Sequence, residues 1–238
     1  MKLEIWSDVM CPFCYIGKRH LEQALAKLPF VKDIEIDWKS YQLNPDYHNL
    51  DGEDTFTYLS RSKGMPVNQV RQMTAHVVSM ANEAGIKIDF DTNIPANSFN
   101  AHRLVHLAAK YGKQDMTEEL LFKAHFTEGK NVADKAILSS IGAELGLDTN
   151  EVETTLAGNQ FAEEVNYDVY ESKQLGISGV PFFLMNRKYA LSGAQPVEAF
   201  EEALTHSYNE WLAENPKNTF QSLNQTDDNS CGPEGCAI

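Results

Sequence analysis

"SDVMCPFCYIG", residues 7–17, sets Cys11 and Cys14 two positions apart where one pattern of hydrophobicity gives way to another. Just before it, KLEIW alternates, with Leu3 and Ile5 expected inward and Glu4 outward, which is the period of a strand. Just after it, Leu21, Leu25 and Leu28 recur at helical spacing until Pro29 closes the pattern. In DIEIDW, Ile34, Ile36 and Trp38 alternate with charged residues as a second strand. Residues 2–40 therefore read as β-α-β, with the cysteine pair at the first strand-to-helix junction.

From about residue 45 to 175 the pattern is helical. Pro66 and Gly85 bracket one helix with Val67, Val70, Met73, Val77 and Ala81 on its apolar face. Asn97 or Ser98 caps another that carries Ala101, Leu104, Val105 and Ala108 inward and ends near Gly112. Further helices fit 115–128, 134–145, 149–157 and 160–175. Then "GVPFFLMN" and "KYALSG" read as a hairpin turning at Asn186 and Arg187, and Pro196 opens an amphipathic helix through Val197, Phe200, Leu204 and Trp211. Residues 216–238 are polar and aperiodic, the composition of a flexible tail. The expected organisation is a β-α-β and β-β-α domain from residues 1–44 and 176–215, a helical insertion over 45–175 whose last helix packs on that domain, and the tail.

A chain of 238 residues with 42% apolar composition buries a core without a disulfide or metal to hold it together. A net charge of −14, with no basic stripe, speaks against nucleic acid as a partner. MKLEIWSDVM has neither the apolar segment nor the small-residue site of a secretory signal, and no apolar run approaches the roughly 18 residues that span a bilayer. A cytoplasmic location without membrane contact is expected. Thiols there are kept reduced, so CxxC points to redox or metal chemistry rather than to a structural bridge.

Pro12 suits the first helical position, which puts Cys11 at the N-cap with its sulfur expected toward the amides of Phe13 and Cys14. Such a site lowers a cysteine pKa from about 8.5 into the range of roughly 3.5–7.5, making Cys11 the nucleophile. Cys14, one turn on and facing inward, is the resolving thiol that attacks a mixed disulfide at Cys11. The competing readings are an inert buried pair and half of a zinc site. Zinc asks for four ligands, and the only other cysteines, Cys231 and Cys236, lie in the tail at a different spacing, so no metal is expected.

CPFC after a first strand, followed far downstream by "LGISGVPFF", a hairpin and a last helix, resembles the thioredoxin fold. With its helical insertion the chain is similar to the DsbA family, in particular its cytosolic FrnE-like branch. The likeness is carried by "SDVMCPFC", "NSFNAHRLVHLAAKYG", "LFKAHFTEGKNVAD", "LGISGVPFF" and "SGAQP", spanning residues 2 to about 212. Sequence alone leaves the Val180–Pro181 bond open between cis and trans. The resemblance implies cis, with the backbone of Val180 offered to an extended substrate segment beside Pro12, Phe13 and the cysteines.

The resemblance implies a thiol–disulfide oxidoreductase or isomerase acting on protein disulfides through Cys11, Cys14 and Pro181. It needs no cofactor beyond the redox disulfide, with glutathione or thioredoxin as an external reductant. The alternatives are a glutathione-dependent isomerase or transferase of the kappa-class-like branch, whose members place serine where Cys11 stands, and a zinc-binding module. Phe13 departs from the histidine of strongly oxidising relatives. Asp8 is either a turn residue or a proton relay to Cys14. CGPEGC could bring Cys231 and Cys236 together as an auxiliary redox pair that exchanges with the first.

Overall fold

The computed structural model describes residues 1–48 and 52–216. Its centre is a four-stranded sheet in the order β2-β1-β3-β4, built from β1 (Lys2–Ser7), β2 (Glu35–Ser40), β3 (Phe182–Met185) and β4 (Tyr189–Ser192). β1 runs parallel to β2, with Leu3 opposite Ile36 and Ile5 opposite Trp38, and antiparallel to β3, with Ile5 opposite Phe183. Helix α1 (Pro12–Leu25) makes the parallel crossover. Asn186 and Arg187 both take left-handed backbone angles (φ 49° and 57°), and Lys188 N donates to Met185 O (3.0 Å), so the β3–β4 hairpin closes through residues 186–188 between paired Met185 and Tyr189.

Because β1 is interior to the sheet, both of its faces are covered. Leu3 and Ile5 pack with Leu21, Ala24, Phe183, Phe200 and Leu204, beneath α1 and α9 (Val197–Glu214). Trp6 points the other way, onto Ile177 and Leu184, and its Nε1 donates to the Asp168 carbonyl of α8 (Ala162–Gln174). Glu4, expected in solvent, is 1% exposed for the same reason. The Arg187 guanidinium pairs with it and supplies the countercharge a buried carboxylate requires.

The helices between β2 and β3 begin with α2 (Thr55–Lys63), capped by Asp54, and α3 (Val67–Glu83). Then come α4 (Phe99–Ala109), α5 (Gln114–Phe122), α6 (Lys135–Glu144) and α7 (Thr149–Ala157). Helix α2 has no counterpart in the sequence reading. On α3 the buried stripe is Val70, Thr74, Val77 and Ala81, while Val67, expected inward, sits exposed in the first turn. The single helix expected over 115–128 divides into α5 and a π-helical turn over Lys123–Thr127. Arg103, buried on α4, donates to the carbonyls of Thr155, Gly158 (2.7 Å) and Gln160 (2.8 Å), fastening the α7–α8 connection. Helix α8 joins the sheet edge, where Asp168 accepts from Ser40 N (2.9 Å) and pairs with Lys39 and His106.

Candidate active site

Pro12 begins α1 and Cys11 is its N-cap, with extended backbone angles (φ −98°, ψ 111°). The loop into it is held by Cys11 N donating to Asp8 O (2.9 Å), and Cys14 N closes the first turn on Cys11 O (3.0 Å). The sulfur departs from expectation: it makes no bond to the helix amides and instead donates to the Val180 carbonyl at 3.5 Å. The first-turn amide of Cys14 is already taken by the Cys11 carbonyl, and the chain around Pro181 crosses close above. Both cysteines are free thiols and buried. Burial, and then the adjacent Cys11, push the Cys14 thiol well above the usual range. Cys14 thus keeps its proton.

The Val180–Pro181 peptide is cis, and Pro181 O accepts from Gly193 N at 2.8 Å. Gly17, one turn beyond Cys14, lets this segment seat on α1. A Cβ there would stand 3.0 Å from Pro181 Cγ and 3.3 Å from the Phe183 ring. Cys11, Pro12, Phe13 and Val180 line one side of a cavity of about 390 Å³, and Phe13 is exposed. Its far walls come from the helices, including Tyr58 and Leu59 of α2, Met73 and Val77 of α3, and Phe126. The π-helical turn brings His125 as well as Phe126 to this wall, and burial holds the His125 ring neutral, with its pKa pushed down to about 4.

Asp8 is fully buried beside the pair. Its carboxylate accepts from Met10 N (3.1 Å) and Leu43 N (2.7 Å), and lies 3.6 Å from His102 Nε2. Burial alone would raise its pKa. His102 and the two amides outweigh burial and hold Asp8 below the usual carboxylate range. It is a turn residue and a buried charge at once.

Two buried groups near it are not marked as site residues by the sequence: His102, and Glu118 of α5, whose Oε2 has no hydrogen-bond partner among the described residues. Burial lifts Glu118 to about 7. Cys231 and Cys236 lie outside the described residues. Among those residues no group of three or more His, Cys, Asp or Glu side chains could hold a metal ion, and no helix is long and apolar enough to cross a membrane.

The chain matches known proteins along nearly its whole length. Residues 2–205 fit the model of the DSBA-like thioredoxin domain. The chain belongs to that family. A crystal structure of a probable DsbA oxidoreductase from Streptomyces coelicolor is 34% identical, superposes with a TM-score of 0.83 and aligns over 100% of this chain and 99% of its own. The uncharacterized protein YwbO of Bacillus subtilis is 26% identical over 207 residues, 85% of this chain and 95% of that one. A structure of the cytosolic disulfide reductase DsbM of Pseudomonas aeruginosa with GSH shares the fold (18% identity, TM-score 0.63, 88% of this chain and 100% of that one). As a DSBA-like thioredoxin domain the protein has the α/β architecture expected from its sequence, β-α-β and β-β-α around inserted helices.

Proposed function

We propose that the protein exchanges disulfides with protein substrates in the cytosol, as a FrnE-like oxidoreductase or isomerase in which Cys11 attacks and Cys14 resolves. The observation that carries this reading is the asymmetry of the two thiols. Cys11 sits at a helix N-cap and lines the cavity, whereas Cys14 is not among the cavity's lining residues and has its proton held by burial. Oxidoreductase membership follows from the family; the protein substrate and the compartment are our reading.

The Cys11 thiolate attacks one sulfur of a substrate disulfide, forming a mixed disulfide and expelling the other sulfur as thiolate. Cys14 then gives up its proton and attacks Cys11 Sγ, which breaks the mixed disulfide and releases the second substrate thiolate. The substrate gains two electrons and the Cys11–Cys14 pair loses them. Glutathione or a thioredoxin-type dithiol reduces the pair again, and the same steps run backward oxidise a substrate. Asp8 is the buried carboxylate through which the Cys14 proton leaves. Its lowered pKa makes it a conduit rather than a resting base. The backbone at Val180 docks an extended segment, with Pro12 and Phe13 as its floor.

The test is substrate trapping. Cys14→Ser should accumulate mixed disulfides with protein partners on non-reducing gels, and Cys11→Ser should show none. Intact mass separates a protein adduct from a glutathione adduct. Identical behaviour of the two variants would end the role assignment.

A further inference from the structure

Phe13 brings no positive charge to Cys11, while Asp8, three residues upstream and 1% exposed, brings a negative one. An uncompensated carboxylate there would oppose a thiolate, because charges in a poorly solvated site are weakly screened. The compensation comes from the helical block. His102 of α4, also 1% exposed, places Nε2 2.9 Å from the Tyr41 carbonyl and 3.6 Å from Asp8 Oδ1. Tyr41 N in turn donates to Ser7 O, so the ring closes a circuit through the ends of β1 and β2 to the cysteine loop.

We propose that His102 is a positioning residue for the redox pair, one that holds the Tyr41 and Asp8 segments together and offsets the Asp8 charge so that a thiolate at Cys11 is tolerated. The proposal rests on the exchange reading given above. Groups facing His102 are Asp8 from the β1–α1 loop, the Tyr41 carbonyl beyond β2, and Glu118 from α5, which itself feels Lys18 of α1 and Asp115. His125, on the π-helical turn, also feels Asp8. His106, on the same helix as His102, is committed elsewhere, to Asp168 (3.0 Å) and Ser40 Oγ (3.1 Å). Burial pulls the His102 pKa down, but Asp8, together with Glu118 and the Tyr41 carbonyl, raises it above the ordinary value, while His102 in turn keeps Asp8 low. The two directions agree on a charged pair.

Linkage supplies a test on the unaltered protein. If charged His102 favours the Cys11 thiolate, that thiolate must raise the His102 pKa by the same factor. Dithiothreitol converts the Cys11–Cys14 disulfide to two thiols, becoming the cyclic disulfide, and ionisation of Cys11 then releases one proton. Ring NMR of His102, assigned with His102→Gln, should therefore titrate at lower pH in the oxidised protein than in the reduced one. A shift on the order of one pH unit is expected for removal of a nearby charge. His102→Gln retains a donor for Tyr41 O, and the Leu43 and Met10 amides still donate to the Asp8 carboxylate. Its Cys11 alkylation by iodoacetamide should move to higher pH, and the Asp8→Asn/His102→Gln double variant should move it back.

Equal His102 midpoints in the two redox states would overturn the proposal. If Cys14→Ser still trapped substrates, the exchange reading would survive. Shifting midpoints without trapped substrates would instead sink that reading and leave the coupling intact.

Discussion

Glu118→Gln should stabilise the protein, and by an amount that grows with pH. In the folded chain the carboxyl is 1% exposed with one oxygen unpartnered, and burial lifts its pKa from 4.5 to about 7. Below pH 4.5 the group is protonated in both folded and unfolded chains, so it contributes no penalty. Between 4.5 and 7 the unfolded chain loses the proton while the folded one retains it, and stability falls as pH rises. The interval, at about 1.4 kcal/mol per pH unit, amounts to about 3 kcal/mol, fully developed by pH 8. Glutamine keeps the shape and an acceptor oxygen but has no proton to lose. Urea unfolding of both proteins between pH 4.5 and 8, followed by tryptophan fluorescence, reads the difference directly. The variant should gain about 3 kcal/mol relative to wild type across that range. Parallel stability profiles would refute the reasoning, since they would mean that Glu118 titrates alike in folded and unfolded chains.

Two further substitutions probe how the site is held. Gly17→Ala pushes a methyl group to 3.0 Å from Pro181 Cγ, and overpacking of this kind costs roughly 1–3 kcal/mol, so thermal unfolding should drop; an unchanged melting temperature would show that the Pro181 segment shifts freely. Arg103→Ala strips the donor from three carbonyls at the α7–α8 connection and should lower urea stability by about 3 kcal/mol. A loss below about 1 kcal/mol would mean that water replaces the guanidinium.

What the sequence made legible was whatever local pattern controls. Period-two alternation marked β1 and β2, Pro12 marked the start of α1, and Asn186-Arg187 marked a turn whose left-handed angles the fold adopts. What it hid depends on contacts across the chain. Alternation assigned Glu4 to solvent because it cannot tell an interior strand from an edge one, and the partner that makes its burial tolerable, Arg187, is 183 residues away. The sulfur of Cys11 was aimed at helix amides because the Val180 carbonyl is distant in sequence. Helix α2, short and marked mainly by its Asp54 cap, escaped notice, although it walls the cavity. His102 and Glu118 belong to no local motif that would single them out, and their burial comes from elements distant in sequence. A clue did exist in α4, where Ala101, Leu104, Val105, Leu107 and Ala108 leave little room for a polar face, the mark of a helix buried on most sides.

The hydrogen bonding of β1 to β3 has a bearing on how the protein is made. Residues 2–7 leave the ribosome well before their β3 partners at 182–185, with the whole helical block between them. At roughly 5–20 residues per second, the gap lasts on the order of ten to forty seconds. During that time Cys11 and Cys14 are in a nascent chain that lacks the Val180 carbonyl and the sheet that buries them. The helices from α2 to α7 rest on contacts nearer in sequence and are free to form in the interval, as local contacts generally do. The thiols are thus most open to adventitious oxidation during synthesis, before the strand that completes their surroundings exists.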